Sequence, residues 1–121
     1  MDKTYFKKPV ENSWLWMLKI IAGLIIILLL GLHFLVNHLF APNGLLSYVE
    51  VVAYYKNPII PVIEIIFLIT VIVHSFIGIR SILLDLHPSR KLLQWMNWIL
   101  GIVGAAAIVY GSWLVIVISM R

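Results

Sequence analysis

Two histidines, His33 and His74, stand deep inside apolar stretches of this chain, and the surroundings of the second are the more telling. His74, Gly78, Ser81 and Asp85 recur at steps of four, three and four, a spacing that lines all four along one face of a helix. An imidazole placed where water is absent must find a hydrogen-bond partner or bind something. Gly78, one turn on from His74, leaves the gap that a flat macrocycle ligated by the imidazole would need. Arg80 lies off the stripe near the same helix end, where a guanidinium can pair with a carboxylate such as a haem propionate. Asp85 closes the stripe at the lipid boundary, placed to hand protons or hydrogen bonds to a molecule there. The plainer alternative stays open on these residues alone: a membrane histidine bonded to a neighbouring helix, with Arg and Asp as ordinary interfacial charges.

The elements that must position these groups follow from composition. With 63% hydrophobic residues, 12% charged residues and a mean hydropathy of +1.06, the 121-residue chain has the make-up of a membrane protein. A helix needs about 20 apolar residues to cross a bilayer, so there is room for three crossings and little else. The expectation is a single all-α membrane-anchor domain over residues 1–121, with helices at about 14–39, 58–86 and 92–120. Between the first two, Ala41-Pro42-Asn43-Gly44 signals a turn. The following segment, with Tyr48, Tyr54 and Tyr55, reads as a short interfacial helix. Asn57-Pro58 opens the second crossing, where a proline at a helix start loses no hydrogen bond.

Orientation comes from the basic residues. Lys3, Lys7, Lys8, Lys19, Arg80, Arg90 and Lys91 fall on one side and Lys56 and Arg121 on the other, which predicts a cytoplasmic N-terminus. The pI of 9.6 is thus a matter of topology and gives no reason to invoke nucleic acid. The absence of cysteine excludes disulfides and thiolate-held metals. The first 13 residues are too polar for a signal peptide and lack the Arg and Ser of a mitochondrial presequence, which favours a prokaryotic cell membrane.

At 1.5 Å per residue, His33 lies about 25 to 28 Å above Trp14 and Trp16, and His74 about 16 Å above Asp85. Their levels differ by about 10 Å, so they are not expected to clamp one iron. His33 either serves a second haem nearer the outer face or is hydrogen-bonded at the interface. Lys19, at the cytoplasmic level of the first helix, either snorkels to headgroups or pairs with a propionate or quinone oxygen. The third crossing offers a small-residue surface of Gly101, Gly104, Ala105 and Gly111, with Trp95 and Trp98 in the cytoplasmic belt.

The run from His74 through Gly78 and Arg80 to Asp85 resembles the second-helix motif of the small membrane-anchor subunits of succinate dehydrogenase and fumarate reductase. Trp14, Lys19-x-x-x-Gly23, His33-x-x-x-Asn37-His38 and Tyr110-Gly111 are similar to the rest of the three-helix D-type anchors. The resemblance implies a non-catalytic anchor and electron-transfer subunit that couples succinate oxidation to quinone reduction. Its implied partners are a flavoprotein subunit, an iron–sulfur subunit and a second anchor. It implies His74 as an axial ligand of haem b, the opposite histidine coming from the partner anchor, and Asp85 at the quinone site, with Ser81 and His87 beside it. Relatives commonly carry Tyr after this Asp; here Leu86 stands there, which leaves His87 or the partner anchor to supply that contact. The haem count is one, or two if His33 holds another. The rival expectation is a haem-free structural or transport subunit in which His33, Glu64, His74 and Asp85 line a proton or ion path.

Overall fold

Long runs of Leu, Ile and Val with no water-facing stripe can satisfy their backbone polar groups in lipid only as helices. The computed structural model, which describes residues 10–41 and 43–121, is all-helical. Lys3, Lys7 and Lys8, which carry part of the orientation expectation, lie outside the described residues. Helix α1 spans Ser13–Phe34 and continues into a π-helical segment, Leu35–Leu39. Helix α2 spans Tyr48–Tyr55, α3 Ile59–Asp85 and α4 Arg90–Ser119. Among the described residues three helices are long and apolar enough to cross a membrane: Ser13–Leu39 and Ile59–Asp85 with 27 residues each, and Arg90–Ser119 with 30. At 1.5 Å per residue each reaches about 40 Å, beyond the roughly 30 Å of hydrocarbon that a span must cover.

Local signals set the helix ends. Asn12 accepts the Trp14 backbone N–H at 3.1 Å and caps α1. Ser47 and Glu50 form a reciprocal capping box at the start of α2, and the bonds from Ser47 hold the Glu50 carboxyl below its ordinary value. Ser89 caps α4 through Leu92 N–H, so α4 begins ahead of its apolar run. At the end of α3, His87 takes a left-handed φ of 53°, the position where glycine commonly ends a helix, and Pro88 stops continuation. The widened turn after α1 was not signalled by periodicity. Phe40 N–H bonds Leu35 C=O at 3.0 Å, five residues back, and the Asn37 amide donates to the freed His33 carbonyl at 2.8 Å.

Helix α3 packs against both α1 and α4. Glycines let it come close on both sides. A Cβ on Gly104 would lie 2.7 Å from Phe76, and one on Gly111 would lie 2.5 Å from Leu68, so two glycines of α4 are sockets for α3 side chains. On the other side, Gly23 of α1 receives the imidazole of His74. Among the described residues little else is buried: Ala22, Ala41 and Leu84 are the buried hydrophobic residues there, while many large apolar side chains stand exposed. An apolar surface of that extent is stable against lipid or partner helices and unstable against water.

Candidate functional site

The site is built where α1 packs on the stretch of α3 that leads from His74 to Asp85. His74 is half-buried, and its Nδ1 lies 3.0 Å from the backbone carbonyl of Lys19. A carbonyl oxygen only accepts, so Nδ1 carries the proton and donates. In the neutral imidazole this leaves Nε2 with its lone pair. Metal-bound histidines are oriented in this same way, one ring nitrogen donating to a carbonyl and the other facing the metal. One turn along, Gly78 has open space: a Cβ there would meet nothing within 4 Å. The residues therefore fit an axially ligated macrocycle, with an imidazole of fixed tautomer beside a helix surface that carries no side chain.

Lys19 contributes twice. Its carbonyl orients His74, and its ammonium donates to Ser81 Oγ at 3.0 Å and to both carboxylate oxygens of Glu11 at 3.0 and 3.1 Å. The lysine thus has its partners within the chain, in the segment just before α1 and on α3, where the sequence had suggested headgroups, a propionate or a quinone oxygen. Since Ser81 Oγ accepts from the ammonium, its own O–H is left to donate elsewhere. Asp85 is exposed at the last residue of α3, and Leu86 and His87 beside it are exposed too. His74, Ser81 and Asp85 thus follow one another down α3 to the helix end, Lys19 holding the first two.

Arg80 points to another part of the fold. Its Nε donates to Asn97 Oδ1 on α4 at 2.9 Å, and its Nη1 is buried with no hydrogen-bond partner among the described residues. Six residues from His74 put it about 120° around the helix from the imidazole.

His33 is brought to Glu64, a pairing no sequence pattern announced because the two are on different helices. His33 Nδ1 lies 3.4 Å from Glu64 Oε1, and Phe67 packs on the ring at 5.8 Å between centroids. Burial and the charge of Glu64 push the nearby Tyr55 hydroxyl up to about 12. His38 donates from Nδ1 to the carbonyl of Gly44 at 3.2 Å, fixing the turn beyond the π-helical segment. Gly23, ten residues before His33 on α1, is level with His74, so the two histidines are separated by about 15 Å of helix. Among the described residues no three His, Asp or Glu side chains are grouped as a metal site would require.

A family model described as the succinate dehydrogenase/fumarate reductase transmembrane subunit matches residues 3–95, which takes in α1, α2, α3 and the first turns of α4. The chain is also 31% identical over 107 residues to a protein of Archaeoglobus fulgidus named succinate dehydrogenase hydrophobic membrane anchor subunit, covering 88% of this chain and 91% of that one. No solved structure matches the chain at a significant level. With most of its length matched, and with three helices of membrane-spanning length, the chain belongs to the family of succinate dehydrogenase/fumarate reductase transmembrane subunits.

Proposed function

We propose that this chain is a non-catalytic anchor subunit of a succinate:quinone oxidoreductase in a prokaryotic cell membrane, with His74 as an axial ligand of haem b and Asp85 at the edge of a quinone site. The observation that carries the reading is the bond from His74 Nδ1 to the Lys19 carbonyl, which leaves Nε2 with its lone pair to ligate, on a helix face that Gly78 leaves open one turn along. When bound, the haem supplies a one-electron store between the partner subunits and quinone.

This chain's own residues do the positioning. Gly23 gives the imidazole its seat and Lys19 fixes its tautomer. The Ser81 hydroxyl, already accepting from Lys19, keeps its proton to offer a quinone carbonyl, and exposed Asp85 exchanges protons with water at the helix end. Lys19 is neutralised by Glu11 and Arg80 faces Asn97, so we assign the propionate contacts to the partner anchor. That second anchor also supplies the other axial histidine, while a flavoprotein and an iron–sulfur subunit deliver the electrons.

We read His33 as the tie between α1 and α3 through Glu64, in preference to a ligand of a second haem. A proton or ion path is less well supported. The stretch of α3 from Glu64 to His74 spans about 15 Å, and its one hydroxyl, on Thr70, is spent on the Ile66 carbonyl.

The reading is tested by isolating the tagged chain from its native membrane. Co-purification of succinate-oxidising activity and a dithionite-reduced low-spin haem b spectrum is expected. A haem-free preparation with intact succinate-to-quinone activity would contradict the haem assignment, and absence of any succinate-oxidising partner would contradict the anchor assignment.

A further inference from the structure

The fold brings together two cations that no part of the mechanism uses. Lys56 closes α2 and Arg121 follows the end of α4, so both stand at the end of the spans away from Asp85. Far apart in the sequence, they line one pocket of about 340 Å³ where α2 packs on α4. Both side chains are exposed, so their charges are open to a ligand. Neither meets an acidic side chain. Among the described residues Glu11 is paired with Lys19, Glu50 with the Ser47 backbone and Glu64 with His33, while Asp85 lies at the opposite end of α3. The carbonyl ends of α2 and α4, where the two cations stand, offset only part of their charge.

The remaining walls say what kind of anion fits. Tyr48, Val49, Val52, Ala53 and Lys56 recur along one face of α2 and line the pocket together. The two cations are therefore followed by hydrocarbon, from Ala53 to Val49, with the Tyr48 ring at the far end. A small inorganic anion would leave that hydrocarbon uncovered. A phospholipid covers it with its glycerol and acyl carbons while its phosphate meets the cations, and tyrosines on a short helix outside the spans mark the headgroup level where such a molecule lies. We propose that this pocket binds an anionic phospholipid, its phosphate held between Lys56 and Arg121 and its first acyl carbons along Val52 and Val49. Charge complementarity selects the anion, and the guanidinium adds a two-point fit to phosphate oxygens. The pocket shares no residue with the haem or quinone reading, so this proposal and that one fail separately.

The test uses the tagged chain isolated from its native membrane with its partners, stripped by detergent washing and titrated with dioleoyl phosphatidylglycerol under native mass spectrometry. Phosphatidylglycerol should bind in preference to dioleoyl phosphatidylcholine. Lys56→Gln and Arg121→Gln should each weaken that binding about fivefold, the worth of one cation toward an anionic headgroup, and the double variant should weaken it about 25-fold. Ala53→Leu keeps both cations, fills the apolar wall from an exposed position and should weaken the lipid as well. Succinate-to-quinone turnover should be unchanged in Lys56→Gln and Arg121→Gln. Equal phosphatidylglycerol binding in the double variant and the wild type would overturn the proposal. Displacement of the lipid by millimolar inorganic phosphate, or full lipid binding in Ala53→Leu, would overturn it in favour of a simple anion site. Efficient cross-linking of a cysteine placed at Lys56 to another subunit would overturn it too, because protein would then take the place of the lipid.

Discussion

His74 of α3 rests on Gly23 of α1, so closely that a Cβ on Gly23 would lie 3.2 Å from the ring Cε1 and 3.6 Å from Nδ1. The glycine and the Lys19 carbonyl together fix both the place and the tautomer of the imidazole. Gly78, on the ring's own helix, is open. The two glycines therefore predict different outcomes on substitution. Gly23→Ala needs the ring to move by a few tenths of an ångström and should shift the haem b absorption while keeping the haem. Gly78→Leu fills the open surface and should leave an assembled complex with haem lost, measured by pyridine haemochrome per complex. Full haem content in an assembled Gly78→Leu complex would show that no macrocycle lies over that turn.

Glu11 and Lys19 form a half-buried pair, with side chains 18% and 21% exposed. Glu11→Gln keeps an acceptor oxygen but removes the counter-charge of the half-buried ammonium, and should destabilise the subunit by about 1–3 kcal/mol, read as a lower melting temperature in detergent. Lys19→Met combined with Glu11→Gln should cost less than the sum of the two single changes, since neither charge is then stranded. Strict additivity would show that the pair is not coupled.

The spans were legible because each apolar run exceeds the bilayer's needs, and α2 because the segment with Tyr48, Tyr54 and Tyr55 is apolar and aromatic but too short to span. The stripe of His74, Gly78, Ser81 and Asp85 was legible from spacing alone, since positions on one helix are fixed by its pitch. Which helix each side chain meets was not. A helix apolar all round has no stripe to say which side packs. The seating of His74 on Gly23, the turn of Arg80 toward Asn97 and the meeting of His33 with Glu64 therefore came only with the structure. The two roles of Lys19 were hidden for the same reason, because its partners are the distant Ser81 and the preceding segment's Glu11.

Orientation is predicted from charge. Single cysteines at Lys91 and Lys56, in a chain that has none of its own, should behave oppositely toward an impermeant maleimide in intact cells. Position 56 should label and position 91 should be protected. The reverse pattern would invert the topology and move Asp85 to the outer face.

Asp85 at the helix end is predicted to serve quinone reduction. Asp85→Asn should lower succinate-to-quinone turnover by up to about 10²-fold, the lower end of what general acid assistance supplies. Succinate oxidation with an artificial acceptor should be unchanged, because that reaction bypasses the membrane. Leu86 offers no hydroxyl beside it, so His87→Ala should deepen the loss in the double variant. Equal quinone turnover in wild type and Asp85→Asn would assign the quinone site to the partner subunits.

The most direct measurement is the reduced-minus-oxidised absorption spectrum of the assembled complex carrying His74→Ala. The account predicts that the low-spin bis-histidine haem b signal is lost or converted to a high-spin form while the subunits remain associated. An unchanged low-spin spectrum in that complex would contradict it.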